Sequence, residues 1–278
     1  MPKPFRFGIQ SGLGLAITDP KAWLEDARLV EDVGFSVLLI PDHFGPMLSA
    51  MPALMAAAMA TTGLRLGTFV INQAWRYPAV LAKEAATVDL LSGGRLELGL
   101  GTGWVPREQE QVGIPFEAPA VRVNRLIEYV KVVKGLLQQE SLSFRGEFYQ
   151  VTELEGLPRP LQQPVPIVIG GGQRRVLSLA AREADIVAMT LSGVTPGRDP
   201  KEALDEKVGW VREAAGSRFA DLELNLMCGA GVPVGVERQE AARLAVQGGL
   251  TGGARSAGPP RSEADLLASP ATILGTID

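Results

Sequence analysis

Short apolar runs alternate with longer amphipathic segments along most of the chain, and this alternation predicts the elements. Phe5 to Gln10 reads as a first strand. Thr18-Asp19-Pro20 marks a helix start, an oxygen-bearing cap followed by proline at the first helical position, and Trp23, Ala27 and Val30 then recur at i, i+4 and i+7 until Gly34. Ser36 to Ile40 (SVLLI) has no polar alternation beyond its first residue, as expected of a parallel strand buried on both faces. Met47 to Ala60 is the most apolar window, but it is shorter than the roughly 20 residues of a membrane span. It contains Ser49 and Pro52 and reads as a buried helix. Leu64 to Ile71 (LRLGTFVI) and Arg95 to Leu100 (RLELGL) follow as strands, separated by a helix from about Ala79 to Leu91 that closes at Ser92-Gly93-Gly94.

From Pro119 to Gln139 a long helix places Val123, Leu126, Ile127, Val130, Val133 and Leu137 on one face, with Arg122, Arg125, Glu128 and Lys131 outside. LSFRGEFYQV then reads as a hairpin with Gly146 at its turn. Leu157 to Pro166 (LPRPLQQPVP) predicts an extended connector, because each proline removes a donor and fixes φ. Ile167 to Gly170, Asp185 to Met189 and Leu222 to Cys228 read as strands, with helices over Val176 to Arg182, Pro200 to Ala215 and Val236 to Val246. Strands alternating with helices predict an α/β fold of the TIM (β/α)8 type, a single barrel domain over 1–278. The Gly/Pro/Ser-rich Gly248 to Pro260 predicts a flexible loop over 248–262. After it, Ser269-Pro270 and ATILGTID open a last helix without an eighth strand, so a barrel truncated before that strand is expected.

Composition narrows the function classes. The 278 residues include one cysteine and one histidine and carry a formal net charge of −4. A lone Cys228 excludes an internal disulfide, a CxxC pair and a Cys-rich zinc site, and a reducing, cytoplasmic setting is expected. Its strand position makes it a small buried hydrophobe. With His43 as the sole imidazole, multi-histidine metal sites are gone, and no metal is expected. The acidic balance without Lys/Arg runs argues against nucleic-acid binding. MPKPFRFGIQ has no apolar run of a signal peptide, and no membrane partner is expected.

Four clusters sit where a barrel places its chemistry, after the C-terminal ends of strands. In Pro41-Asp42-His43-Phe44, the imidazole can give or take a proton near neutral pH and the carboxylate can accept from ligand N–H groups; a plain turn is the alternative. In Gly99-Leu100-Gly101-Thr102-Gly103-Trp104, glycines would let the backbone approach a flat ligand or a phosphate, or would merely serve a tight turn. This run does not fit the dinucleotide fingerprint. Gly170-Gly171-Gly172-Gln173-Arg174-Arg175 follows a strand and opens a helix, a cradle for a phosphate with Arg174 or Arg175 adding charge. Thr68-Phe69-Val70-Ile71-Asn72-Gln73 with Trp75-Arg76-Tyr77-Pro78 could wall a flat pocket or simply pack.

In their order and spacing, PDHF, GTFVIN, RYP, SGGRLELGLGTGW, FRGEFY, PVPIVIGGGQRR and SPATILGT together resemble the luciferase-like monooxygenases, in the branch of deazaflavin (coenzyme F420)-dependent oxidoreductases. The resemblance runs from about residue 5 to the end. It implies a barrel with the cofactor at its C-terminal mouth, Asp42 on the deazaflavin ring and His43 near the hydride-carrying carbon as proton donor or acceptor. Phe69 and Val70 match a bulge that carries a non-prolyl cis peptide behind the ring. Thr68, Asn72, Gly101, Thr102 and Gly103 would line the ring and its polyol tail, and Gly170, Gly171 and Gly172, with Gln173 beside them, would hold the phosphate. One departure is Trp104, where sugar-phosphate dehydrogenases of the branch carry an acid. With Trp75 and Phe44 it would form an apolar, aromatic substrate pocket. The implied activity is hydride transfer between reduced F420 and a small organic molecule, in a homodimer. An FMN-dependent monooxygenase of the same fold is the alternative within the enzyme class, and a non-catalytic flavin- or deazaflavin-binding protein the alternative outside it.

Overall fold

The computed structural model describes residues 5–10, 20–45, 47–191, 198–227 and 243. Strand β1 (Gly8–Gln10) leads through α1 (Pro20–Asp32) to β2 (Val37–Ile40), and α2 (Ala50–Ala60) leads to β3 (Arg65–Thr68) and β4 (Ile71–Asn72). Helix α3 (Pro78–Leu91) precedes β5 (Leu96–Gly101), and the short α4 (Pro106–Gln111) precedes the long α5 (Pro119–Gln138). A hairpin of β6 (Ser141–Arg145) and β7 (Gln150–Glu155) comes next, then β8 (Ile167–Gly171), α6 (Arg174–Glu183), β9 (Ile186–Met189), α7 (Pro200–Ala215) and β10 (Glu223–Leu226).

The main sheet runs β1-β2-β3-β5-β8-β9-β10, parallel throughout, and β4 continues beside β5. Strands joined in chain order through helices make this an α/β sheet of the (β/α) barrel kind. β2, β5 and β9 are buried along their whole length, as expected of strands covered on both faces, and β2 and β9 are apolar throughout. At the N-terminal end of the sheet, Arg6 donates to Glu97 of β5 at 2.8 Å and to Glu223 of β10 at 2.7 Å. Arg65 donates to the same Glu97 oxygen at 2.5 Å. The buried Glu97 carboxylate therefore ties β3, β5 and the segment before β1 together, with two guanidinium groups compensating its desolvation, and Arg6 extends the link to β10 through Glu223.

Several boundaries differ from the sequence reading. The first strand begins at Gly8 rather than Phe5, because Phe5 is exposed and has no ladder partner among the described residues. The third is not continuous: β3 and β4 are separated by Phe69-Val70, which are joined by a non-prolyl cis peptide bond. Helix α4 has no apolar periodicity over its six residues and was not expected. α1, the helix within Met47 to Ala60, α3, α5 and α7 stand where capping and periodicity place them, α1 closing at Gly34 with φ of 87°. The proline-rich connector has neither helix nor strand, but it is bent at Pro158 and over 161–164 rather than simply extended, with cis bonds at Leu157-Pro158 and Gln163-Pro164. Cys228, the expected helix Val236 to Val246, the loop 248–262 and the terminal segment lie outside the described residues, and an eighth barrel strand is not among those described. Among the described residues no helix is long and apolar enough to cross a membrane, and no cluster of three metal-ligating side chains occurs.

Candidate functional site

The segments that follow β2, β4 and β5 converge at one end of the sheet. Asp42, two residues beyond β2, is buried, and its Oδ2 accepts from Arg76 Nη1 at 2.8 Å and from the backbone N–H of Asn72 at 3.2 Å. Burial pushes the Asp42 carboxyl above its ordinary value, against the opposing pull of Arg76 and the Asn72 amide. Trp75 Nε1 donates to the Asp42 carbonyl at 3.2 Å, and the Trp75 indole stands edge-on to Phe44 with ring centroids 4.6 Å apart. Phe44 is exposed, so the pair offers apolar surface at the mouth. The WRYP segment, read as a possible pocket wall, thus also clasps the Asp42 turn.

His43 turns the other way, toward α4. Its Nδ1 lies 2.8 Å from Oε2 and 3.0 Å from Oε1 of Glu108, and its ring stands edge-on to Trp104 at 5.9 Å. Sequence reasoning missed Glu108. The available signal was Pro106 at a helix first position just after the Gly101-Thr102-Gly103 turn, too short a stretch for periodicity. Glu108 stands in the first turn of α4, four residues beyond Trp104.

The bulge between β3 and β4 explains several residues differently from the sequence reading. Thr68 is fully buried; its hydroxyl donates to the Gly99 carbonyl at 2.9 Å and accepts the Gly99 N–H at 2.8 Å. Its proton and one of its lone pairs are thus engaged in the sheet. The Val70 side chain fills the space left by two glycines: a Cβ on Gly101 would meet Val70 Cγ2 at 2.5 Å, and one on Gly170 would meet Cγ1 at 3.1 Å. Gly103 has φ of 71° and abuts the Asn72 side chain, whose Oδ1 accepts from Ala74 N–H at 3.0 Å. Gly101 and Gly103 are thus accounted for by close packing and turn geometry. Phe69 packs on Val168, Ile186 and Ala188 inside the sheet.

At the end of β8, Gly170, Gly171 and Gly172 are half-buried, and Gln173 begins α6 without a side-chain cap, so the first amides of that helix have no capping oxygen of their own. The two arginines expected to add charge there are both engaged by other side chains: Arg174 pairs with Glu213 at 2.8 Å and Arg175 donates to Asn124 at 2.8 Å. Instead Lys207 of α7, 5% exposed, donates to the Gly172 carbonyl and has no carboxylate partner among the described residues. Burial pulls its ammonium below the ordinary lysine value. A cation beside free helix N-terminal amides fits a phosphate.

A cleft adjoins the Asp42 turn, lined by Gln73, Trp75, Arg76, Thr102, Arg122 and Tyr149 among others. Arg122 donates to the Gly103 carbonyl and stacks on Phe116 at 4.1 Å, which holds the turn that carries Thr102 and Trp104. Burial pulls the Arg122 guanidinium below its usual value.

Comparison with known proteins gives the following. The model of the family described as luciferase-like monooxygenase matches residues 5–271. An F420-dependent glucose-6-phosphate dehydrogenase of Kineococcus radiotolerans is 37% identical over 163 residues, covering 56% of this chain and 48% of that one. An FMNH(2)-dependent dimethylsulfone monooxygenase of Pseudomonas putida is 33% identical over 131 residues, covering 47% of this chain and 36% of that one. This chain thus spans about half or less of the length of these two relatives. The structure of a coenzyme F420-dependent tetrahydromethanopterin reductase from Methanopyrus kandleri superimposes with a TM-score of 0.72 at 22% identity, covering 87% of this chain and 70% of that one.

Proposed function

The chain belongs to the luciferase-like monooxygenase family, and from that premise we propose that it is an oxidoreductase transferring a hydride between reduced coenzyme F420 and an organic, apolar or aromatic substrate. The observation that carries this reading is the juxtaposition of buried Asp42 and His43 with the aromatic groups of Phe44, Trp75 and Trp104 at one end of the sheet. The F420-dependent relative supports the choice of cofactor.

The residues present fit a phosphate-bearing tricyclic cofactor. Asp42 and the Phe69-Val70 backbone would receive the ring, Asn72 and Thr102 would flank its tail, and Gly170 to Gln173 with Lys207 would hold the phosphate. When bound, reduced deazaflavin supplies the hydride, and the protein's part is orientation and electrostatics. Arg76 opposes the effect of burial on the Asp42 carboxyl and holds it in place. His43, adjacent in sequence but turned toward α4, supplies the proton that accompanies hydride delivery. Phe44, Trp75 and Trp104 exclude water from the substrate's reacting face.

Titration with F420 and with FMN, followed by quenching of tryptophan fluorescence, tests the cofactor. Binding of F420 is expected, and micromolar FMN binding with no F420 binding overturns the assignment in favour of a flavin monooxygenase. His43→Ala should leave F420 affinity within about threefold while turnover falls by about 10²-fold or more, the usual contribution of a positioned acid or base. Wild-type turnover in that variant overturns the proton role.

A further inference from the structure

We propose that Glu108 is the positioning residue of His43, holding the imidazole with its proton on Nδ1 so that Nε2 is the nitrogen at which a proton is given or taken. The catalytic half of this statement rests on His43 being the proton group of the proposed reaction; the orientation half does not.

Both carboxylate oxygens of Glu108 lie within hydrogen-bond reach of Nδ1, at 2.8 and 3.0 Å. An ionised carboxylate only accepts, so Nδ1 must be the donor, whether the ring is neutral or cationic. That leaves Nε2, which has no protein partner among the described residues, as the nitrogen whose proton comes and goes. The two side chains are 13% and 19% exposed, so water competes weakly for this contact, unlike a surface pair. The geometry is held from several sides. Trp104 stands edge-on to the ring at an interplanar angle of 80°. Helix α4 starts at Pro106, and its Gln109 is buried beside Glu108. The Gly103 carbonyl just upstream is gripped by Arg122 of α5. A carboxylate that fixes a histidine tautomer is a known way of presenting the opposite ring nitrogen to a substrate.

Because His43 is the only histidine of the chain, a ¹⁵N-detected spectrum of the imidazole reads the tautomer without assignment and without cofactor. Recorded at a pH at which the imidazole is neutral, the wild-type protein is expected to show protonation at Nδ1. Glu108→Leu, which removes the acceptor but keeps the side-chain bulk, should give a mixed or Nε2-protonated pattern, and Glu108→Asp should return toward wild type. In turnover, Glu108→Leu should lower kcat at least about tenfold, part of what a positioned acid or base contributes, with KM within about twofold. A wild-type spectrum protonated at Nε2 overturns the proposal even if the leucine variant does not fold. An unchanged spectrum or unchanged kcat in a folded Glu108→Leu variant overturns it as well. If the tautomer is as stated but His43→Ala turns over normally, the catalytic half and the proton role both fail, while the orientation by Glu108 stands.

Discussion

Arg76 Nη1 lies 2.8 Å from Asp42 Oδ2, joining the segment after β4 to the turn after β2 across 34 residues of sequence. The same oxygen takes the Asn72 N–H, and Trp75, directly before Arg76, donates to the Asp42 carbonyl. The candidate site is thus assembled by side chains that bind one loop to another, and each such contact makes a measurable claim.

Arg76→Met should destabilise the protein by about 3 kcal/mol, the usual cost of leaving a buried carboxylate without its partner. Burial already raises the Asp42 carboxyl, and removing Arg76 takes away the main opposing influence, so it should rise further. A carboxyl raised in the folded state is bound more tightly to its proton there than in the unfolded chain, so stability falls as pH rises through the window above the ordinary value. Urea unfolding across pH should therefore show the deficit of the variant growing with pH and shrinking in acid. A deficit constant from acid to neutral pH contradicts this account.

Thr68 substitutes for missing ladder bonds. Pairing of β3 with β5 ends at Gly67 and Glu97, and β4 resumes it only at Ile71 and Leu100. Thr68→Val keeps the shape but strands the N–H and C=O of Gly99, at about 1–3 kcal/mol. Thr68→Ser should cost less than about 1 kcal/mol, because the hydroxyl remains. Equal losses in the two variants, measured by thermal unfolding, would argue for packing instead.

Gly101→Ala should cost about 1–3 kcal/mol by overpacking against Val70. If Val70 is the obstruction, combining it with Val70→Ala should recover at least about 1 kcal/mol relative to the sum of the single changes. Gly99→Ala would press on the Thr68 backbone, which no side-chain truncation relieves, so Val70→Ala should not rescue it. A double-mutant cycle with zero coupling at Gly101 would show that Val70 is not the obstruction.

Glu128 of α5 accepts the backbone N–H groups of Glu147 at 2.8 Å, Phe148 at 2.9 Å and Tyr149 at 3.2 Å, capping the hairpin turn. Slight burial raises its carboxyl, but these donors outweigh it and hold the group below its ordinary value. For a depressed carboxyl the stabilisation is present above the ordinary value and is lost as pH falls through the lower, folded-state value. Glu128→Gln should cost about 1 kcal/mol at neutral pH, with the difference from wild type vanishing in acid. Hydrogen exchange at the Phe148 and Tyr149 amides should report the loss locally, and unchanged protection there would refute the cap.

Much of the fold was legible in the sequence because the signals involved are short-ranged. The Thr18-Asp19-Pro20 start, the i, i+4 apolar spacing of α5, the SVLLI run and the Gly146 turn each act within a few residues of themselves. Such signals also placed Asp42 and His43 just beyond a strand end, where a barrel puts chemistry. They could not show the break at Phe69-Val70, since LRLGTFVI is apolar enough to read as one strand, nor α4, whose PREQEQ has no apolar face.

By itself, then, the sequence determined the order of strands and helices, the absence of thiol pairs and multi-histidine sites, and the identity of the sole imidazole. Tertiary structure alone decided what those residues meet. Glu108 reaches His43 across 65 residues, Lys207 rather than Arg174 or Arg175 stands at the Gly172 carbonyl across 35, and Gly101 and Gly170, from two different clusters, make room for Val70. The reason is physical. Propensity and periodicity act along the chain, whereas ion pairs, tautomers and the space for a methyl group depend on which strand ends the curled sheet brings together.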